Sequence, residues 1–220
     1  MTDAVVLYGY RYSVYTRVAR LALCAKGVDH ATAEIDPFAD PPDPALGRLH
    51  PFGRVPILVH GDTTIYETAA ITRYVDAAFP GPPMVPADAR AAARMAQVIS
   101  IVDAYAYRPM VRGVYSHAVF RSAMGVAADP DAIADGLAAA GPVLDALDAV
   151  AAEGLVLDGT AITLADCHLA PMVAAFVQAP EGADRVARRP ALADWWTAIA
   201  DWPALAATDP GPPRPSQPAP

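Results

Sequence analysis

In LHPFGRVPILVHGDTTIYETAAITRY (residues 49–74) a proline stands at the threshold of a strand. A proline cannot donate to a ladder, so Val55-Pro56 belongs at an edge or in a special turn, where a cis bond costs little. There the N–H and C=O of Val55 stay open to an extended peptide, a short case of strand addition. The chain has 23 prolines, so an ordinary turn is the bland alternative. Residues 56–60 and 63–66 then read as a hairpin around Gly61-Asp62. Glu67-Thr68 follow, just ahead of the helical pattern Ala70, Ile71, Tyr74, Val75. A helix N-terminus attracts a carboxylate through its free N–H groups and its dipole. The Thr68 hydroxyl adds a donor and the Glu67 carboxylate suits an ammonium. Together they fit the α-carboxylate and α-amino group at one end of a small peptide.

The same stretch resembles the glutathione-binding half of the glutathione S-transferase superfamily, whose pattern is NPFG-x-VP-x-L…ESxAI-x-x-Y. His50 stands for the usual Asn, Arg54 for Gln or Lys, and Thr68 for Ser. Upstream, LYGYRYSVYTRVARLAL (residues 7–23) resembles the first strand and helix of the phi-like, Ser-type members. Ser13 occupies the position of their catalytic serine, with Thr16, Arg17, Ala22 and Leu23 at matching spacing. Gly9 stands where Tyr-type members carry their tyrosine, flanked by Tyr8 and Tyr10, and a Cys-type member would need a cysteine at position 13. The resemblance covers nearly all of residues 4–206. It implies a glutathione transferase with glutathione as co-substrate, held by Ser13, Arg54, Val55, Pro56, Glu67 and Thr68, and acting as a homodimer on a small hydrophobic electrophile.

On its own Ser13 is a preferred N-cap ahead of the helical residues Val14, Arg17, Val18 and Leu21. Its chemistry follows from the resemblance. The thiolate is the nucleophile, and lowering a thiol's pKa by about two units takes roughly 2.7 kcal/mol. A charge-assisted hydrogen bond and a helix N-terminus supply that. In the loop DPFADPPDPALGRLH (residues 36–50), Pro and Asp replace the His and Lys with which phi-like enzymes hold the carboxylate at the glycine end. His50 and Arg54 are left to compensate, the guanidinium through its bidentate fork. That departure keeps a non-catalytic binding protein as an alternative. The scaffold also suits a glutathione-dependent peroxidase, dehalogenase or isomerase.

The order strand 4–8, helix 14–26, strand 29–36, hairpin and helix 67–78 matches a thioredoxin-like domain over residues 1–79. The run Phe79-Pro80-Gly81-Pro82-Pro83 opens a linker, residues 80–87. Residues 88–207 read as an all-helical domain: a helix 88–124 broken near Pro109, one over 130–150, and one over 163–176 opened by a capping box from Thr163 to Asp166. The fold class is thus α/β plus all-α. The proline-rich residues 208–220 read as a disordered, unpacked tail. The second substrate belongs between the loop before Ser13 and the long helix, beside Tyr10, Tyr12, Tyr105, Arg108, Arg112 and Tyr115, the last four taken as one helical face.

A net charge of −8 argues against nucleic acid. No apolar run is long enough to span a bilayer, and MTDAVV lacks the marks of a signal peptide. Cys24 and Cys167 read as unpaired core residues, suited to a reducing cytoplasm. The five histidines show no ligand spacing, so no metal is expected. Lys26, the only lysine, reads as a matter of composition.

Overall fold

Burial alternates along β1 (Val5–Gly9), with Val5, Leu7 and Gly9 inward, as a strand covered by helices requires. The structure is a computed structural model and describes residues 3–213. β1 pairs in parallel with β2 (Ala31–Glu34) and antiparallel with β3 (Ile57–His60), which pairs antiparallel with β4 (Thr63–Tyr66), in the order β2-β1-β3-β4. Helix α1 (Val14–Ala25) and helix α3 (Thr68–Ala78) cover one face through Val18, Leu21, Ile71 and Val75. On the other face Leu46 packs with Ile35 and Ile57. Leu46 belongs to a short helix, α2 (Pro44–Leu49), within the stretch read as a loop. Asp43 caps it by accepting from the Ala45 N–H at 2.7 Å, with Pro44 in the first turn. Six residues are too few to show helical periodicity, although the cap and the proline were legible. The result is a thioredoxin-like layer followed by a helical bundle.

The bundle comprises α4 (Ala89–Ile101), a wide π-type helix (Val102–Arg121), α5 (Pro130–Ala152), α6 (Leu164–Phe176), α7 (Pro180–Ala187), α8 (Pro190–Ala200) and α9 (Pro203–Ala207). The winding changes at Ile101–Val102 and not near Pro109, which lies buried inside the wide helix. An α-helical proline collides with the carbonyl four residues back; i→i+5 winding turns that carbonyl aside. The wide helix crosses α5 at two glycines. A Cβ on Gly136 would come within 2.9 Å of the Pro109 carbonyl oxygen and 3.1 Å of Gly113 Cα.

Every residue of α6 except Ala174 is buried, so the helix runs through the centre of the bundle. Its start is organised by Asp166, which is 1% exposed. One carboxylate oxygen accepts from both the N–H and the hydroxyl of Thr163, each at 2.7 Å, and the other from Trp195 Nε1 at 2.8 Å. Burial pushes the Asp166 pKa up, against the pull of these donors.

Lys26 has a structural place that composition did not suggest. Its buried ammonium lies 2.9 Å from Asp76 Oδ1, which also accepts from the Met84 N–H at 2.8 Å. The Met84 carbonyl in turn accepts from the N–H of Leu164. Linker, α3 and α6 are thereby tied together. Cys167 is buried, but Cys24 is exposed rather than core. The expected unpacked tail is packed as far as Pro213. The buried Arg17 guanidinium donates to the Leu205 carbonyl at 2.7 Å and to Thr208 Oγ1 and Asp209 Oδ2 at 3.4 Å. Its need for partners holds Thr208 down. Residues 214–220 lie outside the described residues.

Two stability changes follow. Gly136→Ala lowers stability by about 1–3 kcal/mol in calorimetry, because the methyl meets backbone on both sides. The gain of up to about 1 kcal/mol that alanine brings inside an exposed helix is thereby outweighed. Asp166→Ala leaves three buried donors unpaired and costs roughly 3 kcal/mol or more in denaturant unfolding.

Candidate active site

One residue turns the chain from β4 into α3. Glu67 does so with φ 68° and ψ 119°, a conformation that L-residues avoid at a cost of about 1–3 kcal/mol. Its side chain caps nothing, so the first N–H groups of α3 face a cavity of about 260 Å³ lined by Glu67, Thr68 and Ala69. Arg54, Val55 and Pro56 line it from across, and the Val55-Pro56 bond is cis. Because β3 begins at Ile57, the N–H and C=O of Val55 lie outside the ladder. Arg54, Val55, Pro56, Glu67 and Thr68 therefore meet in one place.

Tyr15, His50 and Asp103 complete that cavity. His50 was legible within the motif, as an alternative anchor. Tyr15 lies two residues beyond Ser13, while Asp103 comes from the helical half and left no sequence signal. His50 is buried; its Nδ1 accepts from the Phe52 N–H at 3.1 Å, and its Nε2 lies 3.9 Å from Glu67 Oε1. Burial pushes its pKa down, and Glu67 only partly offsets this, so the ring is neutral at pH 7. Arg54 is then the standing cation of the cavity. Burial, with Asp103 nearby, holds the Tyr15 phenol protonated well above its usual range.

Ser13 lines a different space. Its Oγ accepts from the Thr16 N–H at 3.2 Å, as a cap of α1, which leaves the hydroxyl hydrogen free to be given. It stands on the wall of a second cavity, of about 470 Å³, with Tyr12, Tyr115, Trp196, Leu205 and residues Asp209–Pro212. The first turn of α1 thus separates the two cavities, with Ser13 on one and Tyr15 on the other. A tyrosine at position 9 is sterically excluded: a Cβ on Gly9 would collide with the Thr16 side chain.

Of the residues expected around a second substrate, Tyr12 and Tyr115 line the larger cavity. Tyr10 lines neither; it stacks edge-on against Tyr12 at 5.6 Å and Phe38 at 6.1 Å, and burial, with Asp36, pushes its pKa up to about 12. The Arg112 guanidinium sits 5.9 Å from the Phe38 ring centre. Tyr105 is 65% exposed, Arg108 is exposed, and neither lines either of these two cavities. Tyr105, Arg108, Arg112 and Tyr115 do not share one face, since that expectation assumed 3.6 residues per turn and the wide helix takes more. Among the described residues no three His, Cys, Asp or Glu side chains cluster to hold a metal.

The family pattern "Glutathione S-transferase, N-terminal domain" matches residues 7–83, and "Glutathione S-transferase, C-terminal domain" matches residues 130–198. Glutathione S-transferase 3 of Zea mays is 32% identical over 219 residues, covering 97% of this chain and 98% of that protein. Glutathione S-transferase F9 of Arabidopsis thaliana is 29% identical over 201 residues, covering 90% and 93%. Among solved structures, glutathione S-transferase III in its apo form superposes with a TM-score of 0.83 at 29% identity, covering 98% of this chain and all of that one. Glutathione transferase F7 from Populus trichocarpa gives 0.80 at 27% identity, covering 93% and 97%. Two domain patterns and relatives matched almost from end to end mean that the chain belongs to the glutathione S-transferase family.

Proposed function

We propose that this chain is a Ser-type glutathione transferase in which Ser13 activates the glutathione thiol for attack on a hydrophobic electrophile. The observation that carries the reading is the pair of cavities on either side of the first turn of α1. The smaller one offers what a tripeptide needs. The N–H groups opening α3 and the Thr68 hydroxyl take the γ-glutamyl carboxylate, and Glu67 takes its ammonium. Val55 pairs with the cysteinyl backbone, and Arg54 takes the glycine carboxylate. The thiol then points towards the N-terminus of α1. There the Ser13 hydroxyl, polarised by the Thr16 N–H that its oxygen accepts, donates to the thiolate. The α1 dipole favours the same anion, and the thiol proton passes to solvent. Tyr12, Tyr115, Trp196 and Leu205 give the larger cavity an apolar and aromatic wall for the electrophile. Holding thiolate and electrophile side by side replaces a bimolecular encounter. A homodimer, as the family resemblance implies, and a cytoplasmic setting, in keeping with two free cysteines, complete the reading.

Ser13→Ala tests the chemistry. Thiolate absorbance of bound glutathione should titrate about two units below the free thiol in the native protein and move back towards the free value in the variant, with kcat at pH 7 down about ten- to twenty-five-fold. Because the native advantage is a lowered thiol pKa, it shrinks as pH rises through about 8.5, where free thiols ionise unaided. Glutathione bound with an unshifted thiol would instead point to a binding protein. Arg54→Ala should raise KM for glutathione about tenfold with kcat nearly unchanged. The penalty should disappear with γ-glutamylcysteine, which lacks the glycine carboxylate.

A further inference from the structure

His168, on the central helix α6, has no exposed surface. Its Nε2 lies 3.1 Å from Thr72 Oγ1, which lies 3.2 Å from the Ala69 carbonyl oxygen in the first turn of α3. Its Nδ1 has no hydrogen-bond partner and stands 3.7 Å from Asp103 Oδ1. Asp103 lines the smaller cavity together with Glu67 and Tyr15. A buried imidazole therefore bridges α3, which opens that cavity, and the one acid that the helical half contributes to it.

With one proton on the ring, the imidazole and the Thr72 hydroxyl have two ways to place their hydrogens. In the first, Nε2–H donates to Thr72 and Thr72 to the Ala69 carbonyl. The bare Nδ1 then faces a carboxylate oxygen, acceptor against acceptor. In the second, Thr72 donates to Nε2 and Nδ1–H donates to Asp103, at the expense of the Ala69 bond. Buried polar atoms are costly to leave unpaired, so fixing Asp103 close to the ring favours the second arrangement. A ligand ammonium between the Glu67 and Asp103 carboxylates would fix it there.

We propose that His168 is a positioning residue of the smaller cavity: with glutathione bound it carries its proton on Nδ1 and holds the Asp103 carboxylate where, with Glu67, it receives the α-ammonium of the γ-glutamyl group. The proposal rests on the reading of this cavity as the glutathione site. His168 itself touches no ligand.

The test is calorimetric titration of glutathione, and of its analogue lacking the α-amino group, into the native protein, Asp103→Asn, His168→Gln, His168→Asn and the Asp103→Asn/His168→Gln pair. Glutamine keeps an N–H near the place of Nε2, and asparagine near that of Nδ1. Asp103→Asn and His168→Gln should each weaken glutathione about tenfold, and the pair no more than either alone. KM should rise in step with kcat nearly unchanged, and His168→Asn should stay within about twofold of native. The amino-free analogue should bind weakly and ignore all the substitutions. Additive losses, His168→Asn weaker than His168→Gln, or an analogue equally affected would overturn the proposal. Imidazole ¹⁵N shifts in the native protein decide the matter even if a variant does not fold. A proton on Nδ1 in the glutathione complex is expected, and a bare Nδ1 there overturns the proposal. Native protein that binds no glutathione overturns the reading of the cavity, and the proposal with it. Glutathione binding that needs the amino group but ignores the Asp103 and His168 substitutions overturns the His168 proposal alone.

Discussion

A single buried carboxylate organises the helical half. Asp166 would be an expensive group to hide, but it gathers the N–H and hydroxyl of Thr163 and the indole N–H of Trp195. Its bonds fix where α6 starts and lock α8 against it. From that start α6 passes between α1, α4, the wide helix and α8, which all pack on it. The same helix brings His168 to the back of the smaller cavity and Ala174 and Ala175 to the wall of the larger one. Replacing the carboxylate would therefore disturb both cavities through one element.

The proposed chemistry depends on two helix starts held in different states. At α1 the Ser13 oxygen satisfies the Thr16 N–H, and its own hydrogen remains to be given. At α3 the strained Glu67 does not cap, and the first N–H groups stay open to a ligand. One terminus suits a thiolate and the other a carboxylate. Their spacing is kept by the sheet and by the Lys26–Asp76 pair, whose carboxylate also pins Met84 in the linker. A buried pair of this kind adds little net stability, but losing one partner would strand a charge in the interior. Arg17 plays a comparable part at the other end, where its donors draw the C-terminal segment down beside the larger cavity.

Most of the smaller cavity was legible because its residues are close in sequence. The Val-Pro step, the hairpin and the Glu-Thr pair occupy one short run, and local rules about proline, turns and helix starts apply to each. The larger cavity was only half legible. Tyr12 and Tyr115 reach it, whereas Tyr105 and Arg108 do not, because the pitch of the wide helix is set by packing and not by the spacing of its aromatics. Asp103 and Tyr15 went unnoticed for a related reason. An acid on a long helix and a tyrosine on an amphipathic one look ordinary until a cavity forms beside them.

What the sequence by itself determined is the order of elements, the two-layer and bundle architecture, and the run from Arg54 to Thr68 that lines the smaller cavity. These follow from short-range periodicity, capping and turn chemistry, which act within a few residues. Only the tertiary structure decided that Lys26 is a buried tie, that Cys24 faces solvent, that the tail folds back onto Arg17, and that α5 crosses the wide helix through bare Gly136 and Gly113. Each of these depends on which distant groups share one space, and burial and charge pairing across such distances have no counterpart in local sequence pattern.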